Sequence, residues 1–113
     1  MNIDCRLVTY GTLAPGRPNH HHVASLQGRW LTGTIKGVLV NKGWGSEMGY
    51  PAFVPDEHGE EIAVHLLESP DLPKQWAYLD AFEGEEYRRY EVLVTTAEGT
   101  VEAWIYAADQ TKD

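Results

Sequence analysis

The apolar positions in the second half of the chain follow a helical period. Leu72, Trp76 and Leu79 fall at i, i+4 and i+7, and the same stripe reaches Glu83 at i+11. Gly84 follows and is a typical helix end. Ser69 and Asp71, two N-cap candidates, flank Pro70 just before the stripe. Pro73 falls in the first turn, where a proline is tolerated. The pattern therefore predicts one main helix that carries a carboxylate on its apolar face.

Short runs of alternating apolar and polar residues predict six strands around this helix. They are residues 6–10, 29–41, 50–54, 61–68, 87–96 and 100–107. The long run 29–41 contains Gly33 and Gly37, and glycines inside a strand indicate curvature or close backbone approach, as in a small barrel. A glycine-rich loop is expected over residues 42–49, a turn over 56–59 and a hairpin turn over 97–99.

A second, shorter helix of two turns is expected from His20 to Leu26, with Asn19 as its cap and Gly28 as its end. Strands that outnumber helices, with one long helix between them, define an α+β class. We expect a small mixed barrel or curved sheet, with the main helix packed across it and short flanking helices.

Length and composition limit the classes of function that the chain can have. With 113 residues, 42% of them hydrophobic and 23% charged, the chain is expected to form one globular domain over residues 1–113. A net charge of −8 disfavours nucleic acid and anionic membranes as partners. The single cysteine, Cys5, excludes an internal disulfide. Because no apolar leader or membrane-spanning run is present, we expect a cytoplasmic protein, either a monomer or a homodimer.

Glu83 is the first candidate for chemistry. A carboxylate on a buried face costs free energy unless it is paired, hydrogen-bonded or protonated. Glu83 is therefore either a structural anchor or an acid/base group with a shifted pKa. The pattern alone slightly favours the anchor, because backbone donors often satisfy core carboxylates. The acidic neighbours Asp80, Glu85 and Glu86 lie off the stripe and are most simply a solvated helix end.

The loop Tyr10-Gly11-Thr12-Leu13 after the first strand is the second candidate. Gly11 allows a ligand to approach the backbone, and the N–H groups of Gly11, Thr12 and Leu13 could converge on an oxygen. Taken alone, such a segment is more often an ordinary turn. The cluster His20-His21-His22 is read as polar surface rather than a metal site, because adjacent residues point apart. No metal or cofactor is expected.

Four sequence blocks together resemble the γ-glutamylcyclotransferase-like family. They are Tyr10-Gly11-Thr12-Leu13, Gly49-Tyr50-Pro51-Ala52, the run from Leu79 to Arg89, and Ala103-Trp104-Ile105-Tyr106. Their order and spacing extend over nearly the whole chain. The resemblance implies a small mixed-strand barrel with flanking helices. It also implies an enzyme that converts a γ-glutamyl amide into 5-oxoproline and a free amine.

The resemblance also implies roles for individual residues. Glu83 matches the essential glutamate of the family, and Tyr10 to Leu13 match its substrate-cradling loop. Tyr50 and Pro51 are candidate pocket walls, and Tyr87 either bonds to Glu83 or packs beside it. Arg89 is expected to pair with acidic neighbours for a structural purpose. The short chain looks most like the branch that acts on γ-glutamyl amines, so the expected partner is a small-molecule substrate.

Ring closure by such a substrate needs little from the protein. The α-amine of the glutamyl group attacks its own γ-carbonyl, so proximity is built in. A base must move protons, and a glutamate suits this task if burial raises its pKa. The alternative, from a different class, is a non-catalytic module that binds small γ-glutamyl or carboxylate metabolites. Detection of 5-oxoproline would separate the two.

Overall fold

The computed structural model describes residues 2–11, 13–17, 19–40, 52–84 and 87–108. The predicted loop 42–49 and the candidate residues Thr12, Tyr50 and Pro51 lie outside these ranges. The main elements are β1 (Arg6–Thr9), β2 (Arg29–Val40), β3 (Ala52–Pro55), β4 (Glu60–Glu68), α1 (Trp76–Glu83), β5 (Tyr87–Thr96) and β6 (Gly99–Ala108). Within these ranges, three 3-10 turns accompany them, at Ile3–Cys5, His20–His22 and Leu72–Lys74. None of these helices is long and apolar enough to cross a membrane.

Five of the strands close into a barrel. The order is β3-β2-β4-β1-β6-β5, and β5 returns to β2 through the pairs Gly33–Thr96 and Thr34–Thr95. β1 runs parallel to β6, whereas the other pairings are antiparallel. The short strand β3 extends the sheet beside β2. The α+β class, the mixed barrel and the single main helix are thus confirmed.

The interior glycines of β2 are required by close packing. A Cβ on Gly33 would lie 2.7 Å from the carbonyl oxygen of Thr95, where the barrel closes. A Cβ on Gly37 would lie 2.2 Å from the ring of Phe53. Both contacts are shorter than van der Waals distance, so the prediction of close backbone approach at these glycines is confirmed.

The strands contribute side chains to two apolar cores, one on each face of the sheet. Neighbouring residues alternate between the barrel interior and the outer layer, because successive side chains of a strand point to opposite faces. The interior core contains Val8, Ile35, Phe53, Val64, Leu66, Val94 and Ile105. The outer core, beneath α1, contains Leu7, Val23, Leu67, Leu72, Trp76, Leu79 and Tyr106. The predicted stripe through Leu72, Trp76, Leu79 and Glu83 is buried at each of these positions.

The main helix begins later than predicted. The side chain of Ser69 accepts a hydrogen bond from the Asp71 amide at 3.1 Å, but the turn that follows, Leu72–Lys74, is 3-10. The α-helix then starts at Trp76 and ends at Glu83, and Gly84 caps it with a φ of 79°. Pro73 lies in this 3-10 turn, where a proline is tolerated because first-turn N–H groups have no intrahelical partner.

The prediction of a two-turn helix from His20 to Leu26 is wrong. Only His20–His22 forms a 3-10 turn, and the side chain of Asn19 makes no capping bond. The backbone bonds from Val23 to His20 and from Leu26 to Val23 span three residues each. The rings of His20 and His22 contact other elements, as described below, and a segment this short has little helical stability of its own.

Candidate functional site

The candidate residues collect at one end of the barrel. β1 ends at Thr9, so Tyr10 leaves the barrel at the end where the antiparallel β4 begins. β6 runs parallel to β1, and β5 runs antiparallel to β6, so β5 starts at this same end with Tyr87. Glu83 closes α1 just before the chain enters β5. Tyr10, Glu83 and Tyr87 therefore come together from distant parts of the sequence.

Tyr10 ties three strands together at this end. Its hydroxyl donates a hydrogen bond to the carbonyl oxygen of Tyr106 and accepts one from the Phe53 amide, each at 2.8 Å. Its ring packs on that of Phe53, with 5.9 Å between centroids. Burial raises the pKa of Tyr10 well above its usual value, and the nearby Glu83 and Tyr87 add to this effect. The phenol thus stays protonated at neutral pH.

Glu83 is a buried acid with a high pKa. The residue is 7% exposed, and burial raises the pKa of its carboxyl to about 8. Its negative charge acts on the phenols of both Tyr10 and Tyr106, where it adds to the larger effect of burial on their pKa values. Because its pKa lies close to neutrality, this carboxyl can both accept and release a proton near physiological pH.

Glu68 provides an internal comparison for Glu83. It is 8% exposed, and it accepts hydrogen bonds from Arg29 Nε at 2.7 Å and from Arg6 Nε at 3.2 Å. Burial acts to raise the pKa of Glu68, but the bonds from the two arginines outweigh it, so the pKa is lowered. Glu68 is therefore held as a carboxylate in a structural role. The pKa of Glu83 is shifted in the opposite direction, and burial is the cause.

Asp80 lies one helical turn before Glu83 and binds a cation. Arg89 donates to it through Nε at 2.8 Å and through Nη2 at 3.1 Å, and the hydroxyl of Tyr106 donates at 2.7 Å. The guanidinium of Arg89 also lies 4.7 Å from the ring centre of Trp76 and 5.1 Å from that of Trp104. The expected structural pairing of Arg89 with an acidic neighbour is confirmed.

The loop after β1 is held firmly at its far end. The peptide group between Leu13 and Ala14 is bonded at both atoms: the Ala14 amide donates to the Gly11 carbonyl at 3.1 Å, and the Leu13 carbonyl accepts from His20 Nδ1 at 3.0 Å. Since a carbonyl can only accept, Nδ1 of His20 carries a hydrogen. Leu13 itself is 5% exposed.

In the described part of the chain, neither the backbone angles nor the packing requires glycine at position 11. Its backbone is not in the positive-φ region. Among the described residues, no atom lies within 4 Å of the place where a Cβ on Gly11 would stand. This differs from Gly33 and Gly37, where packing requires glycine. The open space beside Gly11 is what a ligand that approaches the backbone would need.

The histidine turn bridges the loop and the helix. The ring of His20 packs on Trp30, with 5.2 Å between centroids, while its Nδ1 holds Leu13. His22 contacts α1, with Nδ1 bonded to the hydroxyl of Tyr78 and its ring 4.2 Å from that of Phe82. Within the described ranges, no three His, Cys, Asp or Glu side chains converge as metal ligands. Sequence reasoning treated this turn as polar surface and missed the bridge, because its contacts are all long-range.

The sequence belongs to a known class of proteins. Residues 7–113 match the family described as gamma-glutamyl cyclotransferase, AIG2-like. The match covers most of the chain, so the chain is a member of this family, whose proteins are generally cyclotransferase enzymes. A comparison with curated proteins gives no match.

Solved structures agree with this membership. YkqA from Bacillus subtilis is 29% identical with a TM-score of 0.73, over 96% of this chain and 36% of that one. The chain thus spans about a third of the length of YkqA. An AIG2-like protein from Mus musculus is 22% identical with a TM-score of 0.69, over 93% of this chain and 77% of that one. Protein c4763 of uropathogenic E. coli is 17% identical with a TM-score of 0.70, over 95% and 80%. At these lower identities, the last two show the fold alone.

Proposed function

We propose that the chain converts a γ-glutamyl amine or γ-glutamyl peptide into 5-oxoproline and a free amine, with Glu83 as general acid and base. The observation that carries the proposal is the buried carboxyl of Glu83, with a pKa raised to about 8, beside Tyr10 at the barrel end. Membership of the cyclotransferase family supports the same reaction.

In the first step, the carboxylate of Glu83 takes a proton from the α-ammonium of the glutamyl group. The freed nitrogen attacks the γ-carbonyl carbon of the same molecule, a C–N bond forms and the five-membered ring closes. Because nucleophile and carbonyl belong to one substrate, the protein needs only to fold the substrate and move protons.

In the second step, the negative oxygen on the γ-carbon collapses and the C–N bond to the departing amine breaks. Glu83 gives this proton to the departing nitrogen as the bond breaks, and its carboxylate then takes the second proton from the new ring nitrogen and passes it to the freed amine. The α-ammonium loses two protons overall and the departing amine gains two, so Glu83 ends in its starting state. The reaction as written uses no metal ion and no cofactor.

The loop from Tyr10 to Leu13 is the proposed binding element. The amides of Gly11, Thr12 and Leu13 hold either the oxygen of the γ-carbon or the substrate carboxylate. An oxyanion contact of this kind typically contributes a factor of ~10²–10³ to the rate. Tyr50, Pro51 and Tyr87 are proposed to complete the wall of the pocket.

The test compares Glu83→Gln with Glu68→Gln, since both remove a buried carboxylate. Pure proteins are given γ-glutamyl dipeptides and γ-glutamyl amines, and 5-oxoproline is measured by mass detection. Glu83→Gln should lower kcat by a factor of ~10² or more, the usual scale for a lost general base, with no loss of melting temperature. Glu68→Gln should lower the melting temperature and leave kcat unchanged, because the Glu68 carboxylate forms ion pairs with Arg6 and Arg29.

Two outcomes would count against the proposal. A Glu83→Gln protein that melts early but still turns over substrate would make Glu83 an anchor. A wild-type protein that binds γ-glutamyl ligands in calorimetry yet forms no 5-oxoproline from any of them would be a binding module.

A further inference from the structure

The last turn of α1 carries Glu83 and is closed by a backbone capping bond. The Gly84 amide donates to the Asp80 carbonyl at 3.1 Å, so Asp80 and Gly84 bracket the residues between them. The chain then leaves the helix at Gly84, with a φ of 79°, and enters β5 at Tyr87. Because helix ends open more readily than helix interiors, the direction of the Glu83 side chain depends on what holds this turn closed.

Asp80 is an unfavourable residue for this place in the helix. A negative charge in the last turn lies at the negative end of the helix dipole. The helix sequence, from Trp76 to Glu83, contains no basic residue that could balance this charge. Aspartate also has a lower helix propensity than alanine. The helix alone therefore gains nothing from Asp80, and contacts outside the helix must offset its cost.

These contacts come from two strands of the barrel. Arg89 of β5 donates to the Asp80 carboxylate through Nε at 2.8 Å and through Nη2 at 3.1 Å. The hydroxyl of Tyr106, a residue of β6 that is 5% exposed, donates to the same carboxylate at 2.7 Å. Asp80 thus joins the last turn of α1 to β5 and β6, and Arg89 supplies the cation that the helix end lacks.

Arg89 is itself held in place by aromatic rings. Its guanidinium lies over the rings of Trp76 and Trp104, at 4.7 and 5.1 Å from their centres. Both indole N–H groups are bonded to Asp4: Trp76 Nε1 donates to its carbonyl oxygen at 3.0 Å, and Trp104 Nε1 donates to its carboxylate at 2.9 Å. The cation that binds Asp80 therefore rests on side chains whose own positions are fixed by hydrogen bonds.

We propose that Asp80 is a positioning residue: its bonds to Arg89 and Tyr106 hold the last turn of α1 closed and thereby keep the Glu83 carboxyl at the barrel end. A carboxyl that takes a proton from one nitrogen and gives it to another needs a fixed position, since small displacements of reacting groups cost large factors in rate. The effect on rate rests on the proposed function, whereas the closure of the turn can be measured without a substrate.

The test compares Asp80→Ala with Asp80→Asn. Alanine removes all three side-chain bonds but raises helix propensity, so a weaker turn in this variant cannot come from propensity. We expect kcat for 5-oxoproline formation to fall at least ~10-fold while KM stays within about 2-fold of the wild type, because the substrate loop is untouched. Asp80→Asn keeps an oxygen acceptor for Tyr106 and Arg89 without the charge, so it should recover most of the lost kcat.

Amide hydrogen exchange followed by NMR measures the turn directly. Exchange of the Gly84 amide should become at least ~10-fold faster in Asp80→Ala and return toward the wild-type rate in Asp80→Asn. The Leu79 amide, which donates to the Gln75 carbonyl at 2.9 Å in the preceding turn, is the internal reference and should keep its rate. A role in overall stability alone would accelerate exchange of both amides together and leave kcat unchanged.

Glu98→Ala is the matched control, because it removes the carboxylate of another arginine pair. Glu98 accepts hydrogen bonds from Arg29 Nη1 and Nη2, at 2.8 Å each. It lies in the turn between β5 and β6, at the opposite end of β5 from Tyr87. We expect Glu98→Ala to show the kcat, the KM and the Gly84 exchange rate of the wild type.

Three results would overturn the assignment. Unchanged Gly84 exchange in Asp80→Ala would mean that the turn stays closed without these bonds. Faster Gly84 exchange with full kcat would mean that Glu83 does not depend on the closed turn. An equal loss of kcat in Asp80→Asn and Asp80→Ala would mean that the charge of Asp80, rather than its bonds, acts on the reaction.

Failure of the proposed function would look different. If the wild-type protein forms no 5-oxoproline, that function is wrong, and the exchange rates alone decide the assignment. Faster exchange confined to Gly84 in Asp80→Ala, reversed in Asp80→Asn, would support the role of Asp80 in holding the turn. Equal acceleration at Gly84 and Leu79, or none at either, would overturn it.

Discussion

The carboxyl groups of Asp80 and Glu83 leave the same helix one turn apart and have opposite surroundings. The side chain of Asp80 is 45% exposed and is bonded to Arg89 and Tyr106. Glu83 is buried at the barrel end, and its pKa is raised to about 8. Two acids on one short helix therefore have different environments. Asp80 holds the start of β5 against the helix, whereas burial raises the pKa of Glu83 toward neutral pH.

The first prediction concerns stability against pH. The pKa of Glu83 is about 8 in the folded protein against 4.5 for the ordinary group, so the folded state binds the proton more tightly. Its contribution to stability is therefore full below pH 4.5 and is lost as pH rises toward 8. In that window, Glu83 should lower the free energy of unfolding by up to ~1.4 kcal/mol per pH unit.

Urea unfolding at a series of pH values measures this slope. Glu83→Gln should be flatter with pH than the wild type across the window, and more stable than it at pH 8 and above. Other titrating groups affect both proteins, so the difference between the curves isolates Glu83. Parallel curves would mean that Glu83 has an ordinary pKa in the folded protein.

The second prediction concerns Gly11. Gly11→Val should reduce kcat/KM strongly while the melting temperature stays close to that of the wild type, because the described structure has open space beside this residue. The branched side chain would occupy the space that the substrate needs. Gly37→Val is the matched contrast: it should destabilise the protein, since its Cβ would meet the ring of Phe53 at 2.2 Å. Full turnover by Gly11→Val would make the loop an ordinary turn.

The features predicted correctly from the sequence are those that depend on residues close together in the chain. The helical stripe ending at Glu83 is visible as an apolar period within a dozen residues. Gly33 and Gly37 are visible as glycines inside a strand pattern. The barrel was expected from the resemblance and from these glycines. Its closing pair, Gly33 with Thr96, joins segments far apart in the chain, and such pairings leave no mark in either strand alone.

The features that were missed depend on tertiary contacts. The segment after Asn19 has the composition of a capped helix, yet His20 and His22 bond to Leu13 and Tyr78, and a 3-10 turn results. Glu68 sits in an ordinary strand pattern, and only the fold brings Arg6 and Arg29 to it. Propensity is a weak signal for such short elements, and long-range bonds override it.

The third prediction concerns metal removal. Activity should survive dialysis against EDTA, because the proposed steps need only a carboxylate and oriented amides. The measurement is 5-oxoproline formation before and after chelation, with metal content checked by mass spectrometry. Activity that is lost on chelation and restored by zinc would instead assign a metal role to the histidine turn.

The last prediction concerns His20, which we expect to act as a positioning residue for the substrate loop. Its Nδ1 donates to the Leu13 carbonyl at 3.0 Å, and its ring packs on Trp30. His20→Phe keeps an aromatic ring and removes the donor. A lost hydrogen bond of this kind is worth ~1 kcal/mol, so KM should rise by about 3- to 10-fold as the loop loosens.

His20→Asn tests the hydrogen bond apart from the ring contact. The asparagine amide nitrogen can lie near the position of Nδ1 and donate to Leu13, but it has no ring to pack on Trp30. If the bond to Leu13 positions the loop, His20→Asn should recover most of the substrate affinity that His20→Phe loses. The pH dependence of kcat should be the same in all three proteins, because Glu83 is untouched. If both variants lower the melting temperature equally and leave KM unchanged, His20 only stabilises the fold, and the loop keeps its geometry without it.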